Sequence, residues 1–501
     1  MKKIILLCTF CWGMLVPGAR ACTSFLAGRN ATIDGSTFIT YAADSHTLYG
    51  ALKFIPAARH PKNSTMEIRE WDTNKLLGHI PQVEYTYKVV GNMNEHQLSI
   101  TESTWGGRPE LVDTTGIIDY GSLMYIALQR AKTAREAITV MTDLVSEYGY
   151  YSSGESFSIA DPEEVWIMEM IGKGPQNQGA VWVAVRIPDD CIAAHANQSR
   201  IHKFPLDDKE NCLYSPDVIS FAREQGYFNG LNKDFSFADA YAPADFGALR
   251  GCEARVWSFY NRFNSSMGKY LSYLNGKSKE YLPLYIKPDK KLSVQDMKDA
   301  MRDHFEGTPF DMTQDVGAGP FKCPYRFRPM TFKVDSVEYT NERAVATQQT
   351  AFTLVAQMRS WLPNAIGGVL WFGVDDTNTC VYVPLYACLN EVPECYSELN
   401  GSMYDLSWTS AFWIHNWVAN MAYSRYDQMI EDIRPVQKDI ETTFNVQQPV
   451  IEKVANDLYR NDPVAAIRFL NAYSVAQAQQ TTVQWKKLGE FLLVKYLDGN
   501  R

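Results

Sequence analysis

Apolar positions along this chain change period three times. In residues 23–29 and 36–41 they alternate with polar ones, as strands do, and an Asp34-Gly35 turn separates the two runs. Residues 83–90 and 97–101 alternate in the same way, so 22–105 reads as strands and turns. The period then lengthens. Leu123, Ile126, Ala127 and Arg130-Ala131 fit one helical stripe. Thr133-Ala-Arg-Glu136 has capping-box spacing and opens a second helix, with Ile138, Met141 and Val145 on its apolar face. From Ser156 period two returns through 157–160, an Asp161-Pro162 turn, 165–170, a break at 172–179 and 180–187. Residues 205–300 are mixed, with helices expected at 216–225 and 293–305. Strands are expected at 334–343, 352–358, 367–372 and 380–384. Beyond Asn400 nearly everything is helical. Trp408, Phe412, His415, Ala419 and Tyr423 form a stripe, and Asp462-Pro463 sets a cap before a first-turn proline, opening a segment that runs to near Gly499. Strands, a helical pair and strands again predict an α+β fold. Two antiparallel sheets packed face to face with helices outside suit the pattern, which by itself allows other α+β arrangements.

Composition narrows the class. The 501 residues are 46% apolar and 21% charged, which describes a globular chain with a large core. A net charge of −9 offers no basic face to nucleic acid or to an anionic membrane. The 12 Trp, 28 Tyr and 24 Phe suit an aromatic substrate groove or simply a large core. The histidines lack His-Glu-x-x-His or i, i+4 spacing, and the seven cysteines after Cys22 lack Cys-x-x-Cys spacing. No metal and no cofactor is therefore called for. The pair Gly317 and Gly319 lacks the flanking strand and helix of a phosphate loop.

The N-terminus changes the picture most. Lys2 and Lys3 precede an apolar run over 4–16, followed by Pro17 and the small-residue step Ala19-Arg20-Ala21. These are the three parts of a secretory signal, and the run is shorter than the ~20 residues a spanning helix needs. Residues 1–21 are thus expected to be a signal peptide or propeptide. The protein is expected to be exported, periplasmic or extracellular, without a stable membrane anchor. Cleavage after Ala21 leaves Cys22 at a free N-terminus. An α-amine titrates near 7.7–8.0 and a thiol near 8.5, so the amine can take the thiol's proton and one residue supplies nucleophile and base. A lipid-anchor site or half a disulfide are the other roles of a cysteine here, although Arg20 departs from the lipidation step. A papain-like triad of Cys22, His195 and Asn197 lacks the Cys-Gly-Ser/Ala-Cys context of such nucleophiles.

The motifs Cys22-Thr-Ser-Phe-Leu-Ala-Gly28, Ile33-Asp-Gly-Ser-Thr37, Asn94-Glu-His-Gln97 and Thr101-Glu-Ser-Thr-Trp105 occur in that order. Gly154-Glu-Ser-Phe-Ser-Ile-Ala-Asp161, Glu306-Gly-Thr-Pro-Phe-Asp311, Trp361-Leu-Pro363 and Trp371-Phe-Gly373 follow. Together they resemble the dipeptidase A family of cysteine N-terminal nucleophile hydrolases, related to the secernins and more distantly to penicillin V acylase and bile salt hydrolase. The resemblance implies a four-layer αββα sandwich over residues 22–400, with 401–501 a helical extension packed on it. It implies Cys22 as nucleophile, Asp44 holding its amine, Asn197 as oxyanion donor and Arg255 as a nearby cation. Glu102, and with less support Glu155, would receive the substrate's ammonium group. Each has a plainer alternative: turn residues for Asp44 and Asn197, a surface ion pair for Arg255, charged strand positions for the glutamates. One departure stands out. Many relatives carry arginine two or three places before the aspartate, where this chain has Tyr41 and Ala42. Either another cation serves or the thiol is less activated.

The function expected is an exported cysteine dipeptidase acting on short peptides through an acyl-enzyme; self-association is left open. The alternatives are an amidase of acylated amino acids and a secreted, non-enzymatic binding protein.

Overall fold

The computed structural model describes residues 22–326 and 331–497; the expected leader and the segment's end near Gly499 lie outside the described residues. Fifteen strands build the two large sheets. In chain order they are β1 (Ser24–Ala27), β2 (Thr37–Asp44), β3 (Phe54–Ile55), β4 (Val89–Val90) and β5 (Met93–Asn94). Next come β6 (Ser99–Gly106), β7 (Gly154–Ala160), β8 (Val165–Gly172), β9 (Ala180–Arg186) and β10 (Ile192–His195). The last five are β11 (Cys212–Tyr214), β12 (Tyr285–Ile286), β13 (Thr350–Met358), β14 (Val369–Val374) and β15 (Val383–Tyr386). The seven-stranded sheet runs β12-β10-β1-β2-β13-β14-β15 and the eight-stranded one β11-β9-β8-β7-β6-β5-β4-β3. Every pairing within them is antiparallel. The protein is α+β.

The main helices are α1 (Tyr120–Arg130), α2 (Ala134–Tyr148), α3 (Ala254–Phe263), α4 (Val294–Met301), α5 (Ala411–Ser424), α6 (Tyr426–Tyr459) and α7 (Pro463–Lys495). Helices α1 and α2 cover the eight-stranded sheet, burying Leu98, Ile100, Phe157, Ile159 and Trp166 beneath them. Helices α3 and α4 pack on the seven-stranded sheet near β10, β2 and β13, and α5, α6 and α7 pack near β14 and β15. The polar residues that alternate with the apolar ones face the other sheet. Thr37 Oγ1 donates to Asp161 O at 2.6 Å, Thr101 Oγ1 to Thr40 O at 3.2 Å, and Ser24 and Thr101 meet at 3.3 Å. His195 bridges the sheets through Ser103 (2.6 Å) and Ser158 (2.7 Å). Burial, aided by Arg200, pushes its pKa down to about 3 and keeps it neutral. Strands such as β2, β7 and β8 are consequently buried on both faces, not on one.

Local signals map onto these elements with shifts of a few residues. Thr133 accepts from Glu136 N at 3.3 Å, but Glu136 reaches back to Lys132 N instead of closing the box on Thr133. The helix expected at 293–305 ends at Met301, with Ser293 and Asp296 forming a full capping box. The strand expected at 334–343 is a hairpin, Thr331–Val334 with Val337–Thr340, because Asp335 and Ser336 both take positive φ. The strand expected at 380–384 lies at Val383–Tyr386, and the alternation at 83–90 divides between two separate sheets. Of the aromatic stripe, Phe412, His415 and Ala419 are buried on α5, whereas Trp408 precedes the helix and is exposed. Asp462 caps α7 through Ala465 N at 3.0 Å.

The C-terminal helices join the seven-stranded sheet through charge as well as packing. Glu441 of α6 accepts from Arg302 at 2.6 Å and from Tyr382 N at 2.9 Å. Burial disfavours its charge, yet Arg302 and Lys298 outweigh this and hold its pKa below the ordinary value. Removing the carboxylate strands a buried guanidinium. Glu441→Ala is expected to cost about 3–5 kcal/mol in the urea-unfolding free energy; a loss under about 1 kcal/mol would show that α6 is not integral to the core.

Candidate active site

The site is assembled where β1 starts. Thr23 and Ala42 pair through both main-chain hydrogen bonds (3.4 and 3.0 Å), so the residue before them, Cys22, lies beside Ala43 and Asp44. Its Sγ donates to Glu102 Oε1 at 3.3 Å and lies 3.8 Å from the Tyr41 hydroxyl. Tyr41 also donates to that same carboxylate oxygen. The other oxygen, Oε2, is buried and has no hydrogen-bond partner among the described residues. Burial pushes the thiol pKa well up, and Glu102, Asp44 and Glu155 add to the effect; the Asp44 N–H pulls the other way.

Arg255 secures this corner from α3. It donates to Cys22 O (2.9 Å), Thr23 Oγ1 (2.7 Å), Ala196 O (3.1 Å), Asn197 Oδ1 (2.9 Å) and Gly251 O (2.8 Å). It is 1% exposed, so the surface ion pair weighed from sequence is not its environment. Burial and neighbouring Arg343 lower its pKa to about 10, which leaves it charged at neutral pH. Asn197 sits just past β10 with φ 60°, a left-handed conformation that asparagine tolerates. Its Nδ2 donates to Thr104 O at 2.6 Å and its N–H to Ser103 Oγ at 3.3 Å. Asp44, at the end of β2, accepts from Thr350 Oγ1 at 2.6 Å and from Arg343 Nη2 at 2.7 Å. Burial raises its pKa to about 6 against the pull of those partners and of Arg255.

Cys22, Asp44 and Glu102 line a small pocket of about 70 Å³, together with Leu48, Trp71 and Tyr120. Asn197 instead lines a neighbouring cleft of about 470 Å³ with Trp105 and Cys252, and donates from there to the Thr104 carbonyl. Glu155 is one step removed from the pocket; it is buried and accepts from Thr104 Oγ1 at 2.9 Å. The fold thus brings Cys22, Asp44 and Glu102 to one pocket, sets Glu155 one step behind it, and places Asn197 in a neighbouring cleft that Arg255 links to the Cys22 main chain. It adds Tyr41, Thr350 and Arg343, which sequence reasoning did not place in the site. Tyr41 stands in the stretch where the resemblance leads one to expect an arginine. Arg343 carries no local signal.

The family model of peptidase family C69 matches residues 52–439. The chain belongs to peptidase family C69. This C69 chain is similar to a probable dipeptidase of Latilactobacillus sakei, 27% identical over 425 residues that cover 81% of this chain and 82% of the relative. A probable dipeptidase of Salmonella dublin is 27% identical over 388 residues, covering 73% and 81%. A probable dipeptidase B of Streptococcus pyogenes serotype M1 is 23% identical over 511 residues, covering 96% and 94%. The C69 match includes Glu102, Glu155, Asn197, Arg255 and Arg343 and begins after Cys22 and Asp44.

The carboxylate against the thiol makes a measurable demand. Neutralising it in Glu102→Gln removes the nearest negative charge, so the thiol pKa is expected to fall. The pH midpoint for iodoacetamide labelling of Cys22, followed by peptide mass mapping, should drop by about 1–2 units. An unchanged midpoint would mean that the thiol does not feel Glu102.

Proposed function

We propose that this protein is an exported cysteine dipeptidase whose nucleophile is an N-terminal Cys22, laid bare by removal of residues 1–21. In this reading the two sheets and their outer helices are the αββα sandwich of an N-terminal nucleophile hydrolase over 22–400, and 401–501 is its helical extension. The observation that carries it is the position of Cys22. The thiol opens into a pocket at the head of a central strand, with Asp44 beside it and Arg255 fixing its main chain. The names of the relatives, probable dipeptidases, point the same way.

The reaction proceeds in two halves. The neutral α-amine of Cys22 takes the thiol proton, and the resulting ammonium is held by the Asp44 carboxylate. The thiolate attacks the peptide carbonyl carbon. Main-chain N–H groups near Cys22 receive the oxyanion; the Asn197 amide, which lines the neighbouring cleft, is the side-chain donor the resemblance implies, with one Nδ2–H not given to Thr104. The ammonium then protonates the departing amine, leaving a thioester. Water, deprotonated by the same amine, attacks the thioester and releases the acid, returning the proton to sulfur.

Glu102 supports a peptide over an N-acyl substrate. In an amino-terminal residue the amine is two bonds from the carbonyl carbon, so a carboxylate 3.3 Å from the attacking sulfur lies within reach of that ammonium. An acyl chain there would leave the buried charge unpaired.

Four measurements test the reading. N-terminal sequencing of exported protein should begin at Cys22, and Cys22→Ala should abolish dipeptide hydrolysis. Retained activity, or a mature chain starting elsewhere, overturns the proposal. Asn197→Ala should lower kcat by about 10²–10³ with the fold intact. N-acetylated dipeptides should be poor substrates; efficient cleavage of them would favour the amidase.

A further inference from the structure

The strand that carries Asp44 has no arginine where the resemblance leads one to expect it. Tyr41 turns its hydroxyl to Glu102, and Ala42 has no charge to offer. A cation nevertheless reaches the aspartate from 299 positions further along the chain. Arg343 Nη2 donates to Asp44 Oδ2 at 2.7 Å, with the arginine side chain 10% exposed and the aspartate 0%. Thr350, the first residue of β13, donates to the other oxygen at 2.6 Å. Both contacts come from residues 343–350, and the antiparallel pairing of β13 with β2 brings that segment to the end of β2.

We propose that Arg343 is the positioning residue of this site: it holds the Asp44 carboxylate ionised and aimed at the Cys22 amine, in place of the arginine missing from β2. The inference rests on the reading of Cys22 as an N-terminal nucleophile and adds to it the source of the charge. The need for that charge is visible in what surrounds the pair. Glu102 and Glu155 face the thiol from β6 and β7, and Asp44 faces it from β2. Against them stand Arg255 from α3 and Arg343, with the neutral hydroxyls of Tyr41 and Thr350 and the Cys252 thiol beside the two arginines. Three buried carboxyl groups around one thiol need both cations. Burial alone favours neutral Asp44, and Arg343 leads the groups that oppose it.

The sign follows. Without Arg343 the carboxyl pKa rises, so the ionised form that holds the ammonium is populated only at higher pH. We would measure kcat/KM for a dipeptide from about pH 5 to 9 in the parent, Arg343→Gln, Arg343→Lys and Cys22→Ala. The acid limb of Arg343→Gln should move up by about 1–3 units, with at least about fivefold loss at pH 6 and recovery at high pH. Arg343→Lys, which keeps the charge, should restore most of the limb. A merely structural arginine would lower the rate by one factor at every pH, and a folded Arg343→Gln with the parental limb overturns the proposal. Should Arg343→Gln fail to fold, Arg343→Lys decides: a limb near the parental one upholds the assignment, and a loss independent of pH overturns it. Activity surviving in Cys22→Ala identifies the nucleophile reading itself as the failure and removes this inference with it.

Discussion

A guanidinium shut away from water has to find an acceptor for each of its N–H groups, and Arg255 finds five by drawing three separate segments together. The start of β1, the turn after β10 and the turn that leads into α3 supply its acceptors. Leaving any of these bonds unmade in a buried setting costs more than the bond itself returns in water. The arginine therefore fixes where Cys22 and Asn197 stand relative to each other. It does so from below, through a main-chain carbonyl and a side-chain amide, leaving the thiol side open to the pocket.

The same economy of buried charge runs through the rest of the chain. Arg200 meets Glu253 at 3.0 Å beneath the seven-stranded sheet, and Arg302 meets Glu441 at 2.6 Å where α6 lies over it. Arg359 meets Glu452 further along α6 at 2.7 Å. Pairs of this kind add little net stability relative to apolar packing, but they penalise any arrangement that separates them. They tie the long helices to one register on the sheet. At the active corner the balance differs in sign, because carboxyl groups outnumber cations around the thiol and its proton is held tightly. In the proposed mechanism the free amine of Cys22 is the local proton acceptor that these surrounding carboxylates call for.

Much of this was legible in the residue order. Alternation located the strands because sheet residues point to opposite faces, and the 3.6-residue stripes located α1, α2 and the C-terminal helices. Alternation does not mark a solvent-exposed face here: the polar face of β2, β6 and β7 is buried against the opposing sheet. Thr, Ser and His residues survive there because they bond across the gap. Boundaries moved where backbone conformation, not hydrophobicity, decided them, as at Asp335-Ser336.

The order of residues by itself determined the period of each element, the α+β class and the short motifs around Cys22, Glu102 and Asn197, since these are properties of neighbours along the chain. Only the tertiary structure decided that Arg343 meets Asp44, that Arg255 is buried, and that Glu102 rather than Glu155 touches the thiol. Those facts depend on strand order and on which sheet face turns inward. Ion pairing acts through space over a few ångströms, and residues hundreds of positions apart leave no local trace of being brought within that range.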